Sequence, residues 1–438
     1  MNNRSVLNFD FIILAAVLAL ISVGICFIYS SGFTSDGINT SNEYIKQIIW
    51  AVTGLVIMFI FIFIDYKILY DFSAYIYVAA MLLLLATLFF GNKVNGARSW
   101  LGFMGFGIQP SEFAKIGTIA AFSVYCARNR NNIKDLKVFI RGLVIPFIPM
   151  LLILAQPDMG TALVYVPVFF GIYFVAGAKI RYLFFLGATG LLSVLFTIIP
   201  VWNSYVTKQE NLVSGFFGNT AIILYVLAAV LVIILLSAAG WLFFKKGYYY
   251  WMCYGFTILG GSLLFSLAIR KVLKVYQIMR LAVFLDPSID PHGAGWNILQ
   301  SLTAIGSGGI LGKGFLQGTQ SHYHYLPEQS NDFIFSIIAE ESGFLGCMFV
   351  FFCFLLILIR GLIIICTSKD SFGSYMAAGI TAMIFFHFMV NIGMAMGIMP
   401  VMGIPLLFLS YGGSSMWTSM AAVGILINIY YRRYRFKI

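Results

Sequence analysis

Two aspartates and the bases around them form the most reactive combination of side chains in this sequence. Asp286 and Asp290 each stand directly before a proline in FLDPSIDPHGAGWN, residues 284–297. The residue before proline is restricted to extended or turn backbone, so both short carboxylates can point away from the chain. A carboxylate near bases suits a general base that removes a proton from a hydroxyl nucleophile. The alternative, which the spacing supports equally well, is that each aspartate forms an Asx-turn that only shapes the loop.

Basic residues concentrate in the same part of the sequence. They lie in or beside two segments, 91–111 and 270–332, that also hold Gly, Pro, Trp and acidic residues: Lys93, Arg98, Lys115, Arg270, Lys271, Lys274, Arg280 and Lys313. Lys and Arg hold phosphate groups through charge-assisted hydrogen bonds, so this cluster predicts an anionic ligand such as a lipid phosphate or diphosphate. The alternative is a set of unrelated solvated loop charges.

Other patterns do not predict a cofactor site. The run GSGGILGKG (306–314) differs from a phosphate-binding loop, because Ser307 and Gly314 stand where that loop needs Gly and Ser or Thr. His322 and His324 could contribute to a metal site, but all three loop histidines, His292, His322 and His324, are expected to be solvated, and His387 to be buried and hydrogen-bonded. The six cysteines are scattered singly, which predicts neither disulfides nor a zinc site.

The elements that position these residues are predicted to be membrane helices. Of the 438 residues, 61% are hydrophobic and 10% charged, whereas soluble domains have roughly 45–50% and about 25%. That composition excludes a water-soluble enzyme and favours an all-α polytopic membrane protein of about twelve spans. The apolar stretches are 11–29, 46–64, 72–90, 112–127, 142–156, 160–177, 183–200, 219–243, 249–269, 333–359, 373–395 and 404–430. The first is longer than a signal-peptide core and is expected to be retained.

Charge fixes the predicted orientation. With both termini in the cytoplasm, the net charge of +11 divides into about +12 on the inner face and −1 on the outer face. This satisfies the positive-inside rule and removes the support for nucleic-acid binding. The Lys245-Lys246 turn indicates that both 219–243 and 249–269 span, so the long segment 270–332 lies outside. We expect a single integral membrane domain, 1–438.

Ionisable residues also occur in or beside the spans, where they are functional candidates. Glu112 and Lys115 share one helix face and can pair. Asp158 lies between two spans, and Glu340 and Glu341 lie just inside another. Each either ties helices together or contacts a substrate. The segment 397–415 interrupts an apolar run with prolines and glycines, which predicts irregular backbone lining a groove.

Four blocks of the chain resemble the signature motifs of the SEDS family (shape, elongation, division and sporulation). They are GARSWLGFMGFGIQPSEFAKI (96–116), QPDMGTALV (156–164), the region 276–346 and MGIMPVMGIPLLFLSYGGSSM (396–416). The QGTQS block, residues 317–321, is more similar to the elongation branch than to the division branch. The resemblance implies a peptidoglycan glycosyltransferase of the bacterial inner membrane that polymerises lipid II and releases undecaprenyl diphosphate. A lipid II flippase and an inactive scaffold are the alternatives.

The resemblance also implies roles for residues. Asp290 falls on the family's essential acidic position and would deprotonate the GlcNAc 4-hydroxyl in an inverting transfer. The leaving diphosphate would be held by bases, for which we nominate Arg98, Lys115, Arg280 and Lys313. Further motif positions would line the groove or order the loop: Trp100, Glu112, Asp158, Glu328 and Asp332.

The implied partners are a class B penicillin-binding protein, which supplies transpeptidation, other membrane proteins of the elongation machinery, and membrane lipids. No protein metal site is predicted, although a divalent cation bound with the diphosphate stays open. Family members usually have ten spans, so the hairpin within 201–269 looks like an insertion. Asn331 also departs from the family, which commonly has Thr at that position.

Overall fold

The computed structural model describes residues 9–34, 38, 41–94, 97–103, 106–202, 219–272, 280, 283–284, 286–287, 294–323, 325 and 328–433. Their secondary structure is mainly helical. In chain order the helices are α1 (Phe11–Ser31), α2 (Glu43–Phe63), α3 (Lys67–Phe90), α4 (Pro110–Arg128), α5 (Leu136–Ala155), α6 (Met159–Ala176), α7 (Ile180–Trp202), α8 (Thr220–Phe244), α9 (Gly247–Val272), α10 (Ala294–Gly308), α11 (Thr319–His322), α12 (Ile334–Thr367), α13 (Ser371–Ala395) and α14 (Gly413–Arg432).

Ten of the described helices are long and apolar enough to cross a membrane. They are α1, α2, α3, α5, α6, α7, α8, α9, α12 and α13. The other two long helices, α4 and α14, have 19 and 20 residues but are not among these ten. The multi-pass character is therefore confirmed, while the number of twelve spans stays a prediction.

The last predicted stretch, 404–430, was wrong in its first part. Helix α14 begins only at Gly413, and residues 404–412 are not helical. Pro405 cannot donate a helical hydrogen bond, and Gly403 and Phe408 have φ angles of 68° and 70°. Such left-handed backbone ends a helix.

A small antiparallel sheet lies between α3 and α4. Its strands are β1 (Asn92–Val94), β2 (Ala97–Phe103) and β3 (Phe106–Ile108), in the order β1-β2-β3. A Cβ atom added to Gly107 would lie 2.8 Å from the ring of Trp100, so only glycine fits beneath that ring. The structure thus adds three strands to the predicted all-α fold, in a segment that we had expected to be a loop.

Capping residues explain where several helices begin. The carboxylates of Asp10, Asp158 and Asp370 accept hydrogen bonds from backbone N–H groups in the first turns of α1, α6 and α13. These aspartates satisfy donors that a helix start leaves without partners. They therefore fix the ends of three helices in the sequence.

The chain divides into two compact units, Lys179–Leu299 and the remainder. In the smaller unit α9 packs against both α7 and α8. The hydroxyls of Thr197 and Ser266 lie 3.3 Å apart across α7 and α9, and the guanidinium of Arg270 donates to the carbonyl of Phe196 at 2.5 Å. Polar contacts of this kind hold membrane helices together. Arg270, counted above among the cluster of bases, here joins two helices.

In the larger unit α13 is the most enclosed of the ten candidate spans, with 72% of its most apolar window buried. It packs against α4, α6 and α12, while α14 packs against α2. Ion pairs join Asp10 to Arg360 and Asp65 to Arg432. Helix α13 is therefore the element around which the motif segments of this unit are arranged.

Candidate functional site

Helix α4 carries a buried ion pair in its first two turns. Lys115 Nζ lies 2.7 Å from Glu112 Oε1, and the two side chains are 1% and 2% exposed. Lys115 also donates to His387 Nε2 on α13 at 3.1 Å, because His387 Nδ1 lies 3.0 Å from the carbonyl of Pro405 and must donate to it. The predicted Glu112–Lys115 pairing and the buried, hydrogen-bonded state of His387 are both confirmed.

One oxygen of this pair lacks a partner. Glu112 Oε2 is buried and accepts no hydrogen bond from any residue that the structure describes. A buried carboxylate oxygen without a donor is unfavourable by itself. An additional hydrogen-bond donor at this oxygen would therefore be favourable.

Asp158 connects two of the family-like motifs. Its carboxylate caps α6 through Thr161 N at 3.1 Å and Thr161 Oγ1 at 2.9 Å, and it accepts from Gln109 Nε2 at 3.1 Å. Burial raises the pKa of Asp158, and the hydrogen bonds from Thr161 oppose that rise. Gln109 N in turn donates to Ser414 Oγ at 2.9 Å. The motif segments around residues 109, 158 and 414 are therefore joined.

Hydrogen bonds also join the end of the long loop to the irregular segment before α14. Asn391 on α13 donates to the carbonyls of Asp332 and Ile404, at 2.9 and 2.8 Å. Ser410 Oγ donates to the carbonyl of Asn331 at 2.6 Å, and Tyr411 N to that of Ser330 at 2.9 Å. These contacts hold 330–332 against 404–411. The predicted irregular backbone in 397–415 is thus present and covered by protein.

The remaining nominated residues have different surroundings. Lys313 pairs with Glu340, Glu328 accepts from Asn331 at 2.7 Å, and Arg98 is exposed on β2. Arg280 belongs to the smaller unit and is not without a partner. Asp290, His292 and His324 lie outside the described residues. The expectation that His322 is solvated was wrong, because its side chain is buried and its Nδ1 lies 2.9 Å from the carbonyl of Phe33. Of the nominated set, the structure brings together Glu112 and Lys115 and links Asp158 to the same helix start.

Sequence reasoning missed Asn391 and Ser410. A signal for Asn391 was available, since an amide in the middle of an apolar span requires hydrogen-bond partners.

Among the described residues there is no group of three or more His, Cys, Asp or Glu side chains that could hold a metal ion.

Replacing Asn391 with alanine is expected to destabilise the protein by about 1–3 kcal/mol, because the buried carbonyl of Ile404 and the part-buried carbonyl of Asp332 lose their donor. The change is measured as a lower thermal unfolding midpoint of the purified protein in detergent. Asn129→Ala serves as the control, since Asn129 Nδ2 donates to the carbonyl of Tyr125, four residues earlier on the same helix end, and joins no distant segment among the described residues. An equal shift for both variants would contradict the bridging role of Asn391.

Comparison with known proteins gives one consistent family. The cell cycle protein family of FtsW, RodA and SpoVE matches residues 11–220 and 217–435. The chain is 45% identical to the peptidoglycan glycosyltransferase RodA of Treponema pallidum (strain Nichols), over 98% of this chain and 99% of the relative. It is 33% identical to stage V sporulation protein E of Bacillus subtilis (strain 168), over 97% and 98%. It is also 32% identical to the peptidoglycan glycosyltransferase MrdB of Escherichia coli (strain K12), over 97% and 94%.

Solved structures share the fold. One is described as "Structural coordination of polymerization and crosslinking by a peptidoglycan synthase complex"; it matches with a TM-score of 0.66 at 24% identity, covering 98% of this chain and 99% of the other. The crystal structure of the rod shape determining protein RodA of Thermus thermophilus matches with a TM-score of 0.59 at 21% identity, covering 97% and 98%.

Proposed function

The chain belongs to the FtsW, RodA and SpoVE family of cell cycle proteins, and from this membership we propose that it is a peptidoglycan glycosyltransferase. The observation that carries the proposal is the 45% identity, over nearly the full length of both chains, to a peptidoglycan glycosyltransferase RodA. The substrate we propose is lipid II, and the product is a glycan strand for cell elongation and shape. The protein would act as a multi-pass protein of the bacterial inner membrane, with both termini in the cytoplasm.

In the reaction that we propose, Asp290 acts as the general base. Its carboxylate takes the proton of the GlcNAc 4-hydroxyl, whose oxygen attacks the anomeric carbon of a second, lipid-linked MurNAc. The bond from that carbon to the diphosphate oxygen breaks as the new bond forms, which inverts the configuration. Cationic side chains stabilise the leaving undecaprenyl diphosphate, and Arg98 and Arg280 are our candidates for this role.

Glu112 and Lys115 are proposed to line the substrate groove together with Trp100, Asp158, Glu328 and Asp332. Support for Glu112 comes from its unpartnered oxygen, which a sugar hydroxyl or amide of the substrate can satisfy. The links from Asp158 to Gln109 and from Asn391 to Asp332 hold the neighbouring motif segments in place. Such preorganisation is what positions a substrate for attack.

The function is tested with the purified chain and lipid II in detergent, where no membrane has to be crossed. Glycan strands are expected, and their absence both with and without the added partner would contradict the proposal, whereas a flippase would leave lipid II unpolymerised. A class B penicillin-binding protein is the partner that we propose for crosslinking. It is added in a second reaction, so that a partner requirement is distinguished from lack of activity.

The orientation of the long loop is tested separately. A cysteine in place of Ser288 is expected to react with a membrane-impermeant thiol reagent added to intact cells or spheroplasts from outside. The unsubstituted chain, which keeps its six native cysteines, gives the background. Labelling of the new cysteine only after lysis would mean that the 219–269 pair does not span twice.

A further inference from the structure

Helix α12 is broken close to Glu340 and Glu341. Gly343 has φ 64° and ψ −160°, a conformation that is open to glycine but strained for other residues. The break takes the carbonyls of Glu340 and Glu341, and the N–H groups of Phe344 and Leu345, out of the regular helical hydrogen bonds. In a membrane-spanning helix these groups must be satisfied within the protein.

The segment 309–314 supplies the missing partners. Four backbone hydrogen bonds join it to the break: Phe344 N to Gly309 O (2.9 Å), Leu345 N to Ile310 O (3.2 Å), Lys313 N to Glu340 O (3.0 Å) and Gly314 N to Glu341 O (3.0 Å). The segment after α10 is therefore hydrogen-bonded into the break of α12. Because glycines stand at residues 309, 312 and 314 with positive φ, the tight path of this segment depends on them.

The side chain of Glu340 also binds the segment that follows α10. It is fully buried, and its Oε1 lies 2.7 Å from Lys313 Nζ. The same carboxylate accepts from the backbone N–H groups of Thr319 (2.8 Å), Gln320 (2.9 Å) and Ser321 (3.3 Å). One carboxylate thus accepts hydrogen bonds from an ammonium group and from three consecutive backbone N–H groups. Charge-assisted bonds of this kind are stronger than neutral ones, so Glu340 fixes the segment 313–321.

In the sequence, the segment 309–314 follows α10, and α10 follows the block that carries Asp290. Helix α10 runs directly into the segment 309–314, and its Ser301 Oγ donates to the carbonyl of Ala395 at 2.6 Å. The end of α10 lies so close to α12 that a Cβ atom on Gly308 would clash with the backbone of Ala339. Asp290 stands four residues before α10 in the sequence. The second half of α10 is therefore held by contacts with α12 and α13.

We propose that Glu340 is a positioning residue for polymerisation: its carboxylate holds the segment 313–321, which follows α10 and the block that carries Asp290 in the sequence. Lys313 belongs to this clamp and is not a ligand of the diphosphate, because its ammonium is bonded to Glu340 and to Thr319 Oγ1 at 2.7 Å. This inference rests on the glycosyltransferase function proposed above. It changes the role that the sequence suggested for Lys313.

The test compares Glu340→Ala and Glu340→Gln with Asp10→Asn in the lipid II assay. Asp10 is a matched control, since it is also a fully buried carboxylate 2.7 Å from a basic group, that of Arg360, and it caps the start of α1. For E340A we expect kcat per folded molecule to fall by about 10²-fold while KM for lipid II stays near the wild-type value. E340Q should keep part of the activity, because its amide oxygen can still accept from Thr319 and Gln320. D10N should lower the unfolding temperature without lowering kcat.

Each possible result of this assay either supports or contradicts the proposal. Wild-type protein without activity would refute the proposed function itself, before any variant is read. Wild-type kcat in E340A, or an equal loss of kcat in D10N, would overturn the positioning role. If E340A does not fold, the comparison of E340Q with D10N answers the same question. Lys313→Met should lose less than E340A with unchanged KM, and a raised KM there would return Lys313 to the diphosphate site.

Discussion

Replacing Asp290 with asparagine is expected to slow glycan polymerisation by about 10²- to 10⁴-fold, which is the usual contribution of a general base. Asparagine has nearly the same shape as aspartate, but its amide cannot accept the proton of the attacking hydroxyl. Binding of lipid II should change little, because the substitution removes a proton acceptor and no ligand of the diphosphate. The rate is measured from the growth of labelled glycan strands in detergent.

Two further variants make this result specific. Asp286→Asn changes the other aspartate that precedes a proline in the same block and should reduce the rate far less. Asp71→Asn removes an exposed carboxylate on α3 and should leave the rate unchanged. An equal loss in D286N and D290N would mean that the two carboxylates act together or only shape the loop. A wild-type rate in D290N would refute the assignment of the base.

The helices were predictable because each depends on a local pattern. A run of about 20 apolar residues predicts a spanning helix whatever surrounds it, and the stretch 72–90 ends where α3 ends. The exact extent of the irregular segment before α14, which ends at Gly412, was less predictable. Its course depends on Ser410, whose hydroxyl donates to Asn331 and accepts from Leu406 N at 2.8 Å. Contacts between residues so far apart in sequence leave no periodic signal.

The candidate site was predictable to the extent that residue type alone carries information. A carboxylate and an ammonium three residues apart on a helix can pair, and Glu112 and Lys115 do. Lys313 shows what residue type alone leaves out. Its charge and its glycine-rich neighbours suggested an anionic ligand, but its partner Glu340 is 27 residues away. Backbone hydrogen bonds beside the break at Gly343 join the segments of the two residues, and a single glycine in an apolar sequence does not predict a break.

Replacing Lys115 with methionine is expected to destabilise the protein by about 3–5 kcal/mol, the cost of leaving one member of a buried ion pair without its partner. Methionine preserves most of the volume, so the loss comes mainly from the charge of Glu112, whose other oxygen already lacks a donor in the described part of the chain. The change is measured by thermal unfolding in detergent. Lys369→Met, at a residue between α12 and α13 that has no ion pair with any described residue, is the control.

The double variant Glu112→Gln with Lys115→Met separates stability from catalysis. With both charges removed, most of the lost stability should return, because no uncompensated buried charge remains. Polymerisation should stay below the wild-type rate in this variant, since a neutral amide oxygen accepts the proposed substrate donor less strongly than a carboxylate does. If polymerisation returns together with stability, the pair serves only to tie α4 to α13 through His387. If stability does not return, the pair contributes through geometry as well as through charge, and the hydrogen bond to His387 becomes the next contact to remove.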